Sequence, residues 1–127
     1  MHERGSLMMR RHRLTISHPA KETPSQVLPD GAITGNGDIT AILAGSADRI
    51  RIYIGKTDFW KADGRASMEQ WGGISPLGLV EILLPHLAYA DYCAVQDLDE
   101  AYIGLRLTLG RLTADLRITV CAESNTV

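Results

Sequence analysis

Cysteine is scarce in this chain. Only Cys93 and Cys121 occur in 127 residues, with no CxxC spacing. That excludes a disulfide scaffold. Both cysteines fall in strand-like segments and are read as reduced, acting as small apolar residues. Aromatic residues are also few, at 6% of the total. Neither charge sign dominates: 13 Lys+Arg stand against 15 Asp+Glu, for a net charge of -2. A general electrostatic nucleic-acid binder needs a strong positive excess, so that class is set aside. Long apolar runs are missing too. The longest, Leu77 to Leu84, is interrupted by Gly78 and Glu81 and stops at Pro85, far short of the roughly 20 residues of a membrane helix. The first residues carry Arg4, Arg10, Arg11 and Arg13 with no apolar stretch behind them, unlike a secretion signal. The cytoplasm is therefore the default expectation.

A helical stripe is also missing. The apolar period is two almost everywhere, which is the period of half-buried strands. Ile50, Ile52 and Ile54 alternate with Arg51 and Tyr53. Ile103, Leu105, Leu107 and Leu109 alternate with smaller or polar residues, and so do Leu112, Ala114, Leu116, Ile118 and Val120. Between these two runs lies Gly110-Arg111, a turn signal, so they are expected to form an antiparallel hairpin. Further strands are expected at Arg13–Ser17, Asp38–Ala44, Gly78–Leu84 and Tyr92–Leu98, the last pairing with the strand after Asp99-Glu100. A short turn around Ala47 to Arg49 joins two of the strands. Val80 to Leu84 alternates poorly, which suggests cover on both of its faces. Lys61–Gln70 is the one stretch with helix-favouring composition, through Ala66, Met68 and Glu69. Ser17–Asn36 and Lys61–Pro76 hold most of the proline and much of the glycine and read as long loops.

With 45% apolar residues, a sequence of this length suffices for one core. The expected fold is all-β, an antiparallel β-sandwich whose set of strands is incomplete. Residues 1–27 form a basic tail and first strand, with five Lys+Arg against three Asp+Glu over residues 1–30. Residues 28–127 form the sandwich.

Three features bear on chemistry. Gly35-Asn36-Gly37-Asp38 leads into a strand. Asn-Gly tolerates a left-handed backbone and makes a tight bend. A phosphate cradle would need a helix after the glycines, and a calcium loop needs regular acidic spacing and a later Glu; neither is present. Lys56-Thr57-Asp58-Phe59-Trp60 follows the Ile50–Ile54 run. Its aromatic rings, with Trp71, suit stacking on sugar C–H faces, while Lys56 and Asp58 suit hydroxyls. The alternative is that Phe59 and Trp60 plug the end of the sandwich. Carboxylates near one another, Asp58 with Asp63 or Asp97 with Asp99 and Glu100, raise glycoside hydrolysis, which needs two of them facing across a bond. Such acids at strand junctions are more commonly solvated turn residues. The histidines His2, His12, His18 and His86 show no HxH or HxxxH spacing, and no GxSxG elbow occurs. No cofactor or metal site is expected.

Taken in order, these motifs resemble a known family. Leu28-Pro29-Asp30-Gly31-Ala32-Ile33-Thr34-Gly35-Asn36-Gly37-Asp38-Ile39 is similar to the LP-x-GNG opening of the N-terminal domain in glycoside hydrolase family 95 and related family 65-like enzymes, the α-L-fucosidases among them. Asp48 to Ile54, then Lys56-Thr57-Asp58-Phe59-Trp60, resemble its next strand and Asp-x-Trp-like motif. Pro76-Leu77-Gly78-Leu79-Val80-Glu81-Ile82 resembles its PLG strand. Leu98-Asp99 and the segment closing at Val127 resemble its later strands. Where many members have Leu-Asn-Glu-Asp-x-x-Trp, Ile-Gly-Lys-Thr-Asp-Phe-Trp stands here, a departure in the very region that bears on fucose specificity.

The resemblance implies an N-terminal β-sandwich, as a module or fragment, that supports an (α/α)6 barrel carrying the catalytic acid and base. Twelve barrel helices would need some 130–140 residues by themselves, so the barrel lies outside these 127. No catalytic residue is carried over. Gly35, Asn36, Gly37, Asp38, Asp58 and Trp60 match motif positions, in a structural capacity. Two other classes stay open. One is a free-standing carbohydrate-binding module using Trp60, Trp71 and Tyr53. The other is a protein that self-associates through unpaired sheet edges.

Overall fold

A computed structural model describes residues 12–24, 29–60 and 74–127, with the backbone alone at 60, 74 and 75. The strands are β1 (Arg13–Ile16), β2 (Ile33–Gly35), β3 (Ile39–Gly45), β4 (Arg49–Trp60), β5 (Ile74–Leu83), β6 (Asp91–Asp97), β7 (Tyr102–Leu109) and β8 (Leu112–Thr119). Among the described residues they form two antiparallel four-stranded sheets, in the orders β1-β6-β7-β8 and β2-β3-β4-β5. The sheets do not close into a barrel. The protein is an all-β antiparallel sandwich.

Alternation explains the layering. Ile39, Ala41 and Leu43 of β3 and Ile50 and Ile52 of β4 are buried, and so are Ile103, Leu105 and Leu107 of β7. The two sheets share one core, in which Leu43, Ile50 and Ile52 join the β7 residues, Ala94, Ile118 and Leu87. Burying them removes apolar surface from water at about 25 cal/mol per Å². The last hairpin closes as its composition foretells. Leu109 pairs with Leu112 around Gly110-Arg111, with Gly110 at φ +60°. The β3–β4 connection is equally tight. Gly45 sits at φ +87°, where an added Cβ would lie 2.1 Å from the Arg49 carbonyl oxygen. Only glycine fits there.

The β6–β7 connection depends on a buried carboxylate. Asp97, 2% exposed, accepts the backbone N–H groups of Asp99 (3.0 Å) and Glu100 (2.9 Å) on Oδ1. Its Oδ2 accepts from Arg13 Nε at 2.5 Å, which ties β1 to β6. The Glu100 amide, followed by Arg13, holds this carboxyl below the usual carboxylate range.

Several expectations need correction. Ser17–Asn36 is not wholly loop, because Ile33–Gly35 pairs with β3 as β2. Among the described residues ahead of β2, Lys21, Glu22 and Thr23 are held by Asp30, whose carboxylate gathers their N–H groups and the Thr23 hydroxyl. The strand expected at Ile50–Ile54 runs on to residue 60, so Lys56 and Asp58 lie within β4 and not after it. β5 begins at residue 74, inside the stretch read as loop. The expected helix at Lys61–Gln70 lies outside the described residues. Both cysteines are exposed, and Cys121 lies beyond the end of β8, so neither fills a core position.

The largest correction concerns β5. Cover on both faces was expected, yet Leu77 (48%), Leu79 (48%), Val80 (44%) and Leu83 (58%) are exposed. Among the described residues β5 is the end strand of its sheet, paired only with β4. Poor alternation here reflects an apolar strand at an open edge. A run of apolar residues reports apolar surroundings only when another layer is there to supply them.

Candidate functional site

Gly35-Asn36-Gly37-Asp38 forms the tight β2–β3 bend, with Gly37 at φ +92°. Asn36 shapes it. Its Oδ1 accepts from the N–H groups of Asp38 (2.9 Å) and Ile39 (2.8 Å), the turn pattern that short amide side chains favour. Its Nδ2 donates to the Cys121 carbonyl (2.9 Å) and to Asn125 Oδ1 (2.7 Å). The bend of one sheet is thereby bound to the segment that leaves the other.

Asp38 continues the network. Its Oδ2 accepts from Asn125 Nδ2 at 2.7 Å, and its Oδ1 accepts from Lys56 Nζ and the Thr57 hydroxyl, both at 3.1 Å. Lys56 and Asp58 are two apart on β4 and share a face, and Lys56 Nζ also donates to Asp58 Oδ1 at 2.5 Å. Asp58, then Asp38, stabilise the ammonium and raise the Lys56 pKa. Lys56 in turn lowers that of Asp38. Beside this knot, the Ser124 hydroxyl and the N–H groups of Glu123 and Ser124 pull the Cys121 thiol below its ordinary value.

The structure thus brings together Asn36, Asp38, Lys56 and Asp58 from the residues singled out in the sequence, with Gly35 and Gly37 providing the bend. The side chain of Trp60 and all of Trp71 and Asp63 lie outside the described residues. Tyr53 is half-buried on β4. Asp97, Asp99 and Glu100 do not act as a facing pair. Asp97 caps its turn and binds Arg13, Asp99 meets His12 Nδ1 at 2.9 Å, and Glu100 meets Arg117 at 3.4 Å. Sequence reading missed Asn125, Cys121 and Thr57. Thr57 stands inside the Lys56–Trp60 motif with no role assigned to it from sequence, and nothing local links position 36 to position 125. Among the described residues no three His, Cys, Asp or Glu side chains gather as a metal site, and no buried side-chain polar atom lacks a partner. The knot is chemically a tie: its one ammonium, Lys56, is shared between the carboxylates of Asp38 and Asp58.

A second feature lies elsewhere on the surface. Residues Leu83–Leu87 and Leu112–Thr113 line an open apolar hollow of about 410 Å³. It continues the exposed leucines of β5 towards the β7–β8 turn. No protein-family model matches the sequence, and no curated protein matches it.

Proposed function

We propose that this protein is a non-catalytic β-sandwich module of a glycoside hydrolase resembling family 95, built to seat a separate (α/α)6 barrel that performs the hydrolysis. The observation that carries the reading is the β5 edge with its adjoining hollow. Four large apolar side chains stand exposed on one edge strand and run into a leucine-lined depression. Apolar patches of this kind mark surfaces that another protein layer covers. The motif residues support the same reading. Asn36, Asp38, Lys56 and Asp58 are spent on one another, which suits a scaffold and leaves the acid and base to the barrel.

The test is the reading frame beyond the Val127 codon. A continuing frame that encodes a helical region of at least some 130–140 residues supports the module. A stop codon at that point overturns it, and so does glycoside cleavage by the purified 127 residues on their own. The β5 edge favours a second reading, self-association through this strand, in which the same leucines meet a second copy. Sedimentation velocity over a wide concentration range separates the two: a strictly monomeric protein removes the second reading.

A further inference from the structure

Asn36 is followed by Gly37, and this dipeptide has an intrinsic reaction. The glycine amide nitrogen, unhindered by a Cβ, can attack the asparagine Cγ. The new C–N bond closes a five-membered succinimide as the Cγ–Nδ2 bond breaks and ammonia leaves. Water then opens the ring at either carbonyl, giving aspartate or isoaspartate. No oxidant or reductant takes part. Gly37 is exposed, and an added Cβ there would meet nothing within 4 Å, while Asn36 itself is half-buried.

The attack requires the Asn36 amide to turn until Cγ faces the Gly37 nitrogen. Four hydrogen bonds oppose that turn. Two hold Oδ1 within the bend, and two hold the departing nitrogen, through the Cys121 carbonyl and Asn125 Oδ1. We infer that Asn36 is a latent deamidation site which the segment Cys121–Asn125 keeps closed, and that its conversion releases that segment. Release follows from chemistry. A carboxylate at position 36 has no proton to give, so it would face the Cys121 carbonyl oxygen at a donor's distance. It would also add a negative charge beside Asp38. Isoaspartate would in addition lengthen the backbone by one carbon and abolish the bend. Segment docking and modification are then mutually exclusive, so each suppresses the other.

The experiment compares the full-length protein, its Asn125→Ala variant and a synthetic peptide spanning residues 31–42. All are aged at neutral pH. Ammonia release, intact mass and isoaspartate at position 36 by peptide mapping are followed. The peptide should react fastest and the native protein slowest. Asn125→Ala removes one bond to the departing nitrogen and should react roughly five- to tenfold faster than the native protein. In denaturing urea both proteins should converge on the peptide's rate, a result that does not depend on how well the variant folds. A native rate equal to the peptide's overturns the inference. So does a folded Asn125→Ala variant that ages like the native protein, or a failure of urea to accelerate the native protein.

Discussion

Leu43 to alanine is the sharpest probe of the layered core. Leu43 is 1% exposed at the middle of β3, opposite Ile52 of β4. Its buried neighbours in sequence, Ala41, Ala44 and Ala47, are too small to fill the space it would vacate. The cavity should therefore persist, and the loss should fall in the range of uncollapsed leucine deletions, about 3–4 kcal/mol. That is a large share of the roughly 5–15 kcal/mol that stabilises an ordinary domain. It corresponds to a fall in Tm of about 10–15 °C at this length. Leu79 to alanine is the matched control, because the same atoms are deleted from a half-exposed position on β5. It should cost under about 1 kcal/mol. Urea unfolding followed by circular dichroism, with m-values compared, measures both. A one-residue slip in register would reverse the faces of a strand. Equal losses for the two variants, or a small loss for Leu43→Ala, would refute the assigned core.

Three further outcomes are expected. Asp97→Asn keeps an oxygen for the Asp99 and Glu100 amides but discards the charge that Arg13 meets. Because the folded-state pKa of Asp97 is depressed, its contribution is present above the unfolded value near 3.9 and is lost as pH falls below it. Urea midpoints taken from neutral pH down to acid should thus fall less steeply for the variant than for the native protein; parallel curves would count against the ion pair. Ser124→Ala should raise the pH at which Cys121 reacts with iodoacetamide, since the Ser124 hydroxyl is the main group favouring its thiolate. Mass spectrometry of the alkylated peptide reads this, and an unmoved profile would contradict it. Gly45→Ala should cost about 2 kcal/mol or more in thermal unfolding, from the strained φ and the clash with the Arg49 carbonyl; a neutral effect would mean that the β3–β4 turn has another shape.

Period-two alternation in the sequence determined the all-β class, the β7–β8 hairpin at Gly110-Arg111 and the inward faces of β4 and β7, because strand geometry puts every second side chain on one face. Asn-Gly likewise marked the β2–β3 bend, a matter of local backbone freedom. Tertiary structure alone decided the rest. Whether β5 lies covered or open depends on what packs against it, and its composition is the same in either case. The length of β4 and the existence of β2 depend on partner strands that supply their hydrogen bonds. Asn36 and Asp38 meet Asn125 only because one sheet's bend reaches the segment leaving the other, across more than eighty residues of sequence. Short-range pattern carries no record of such a contact, since its stability comes from groups that only the folded layers bring within hydrogen-bonding distance.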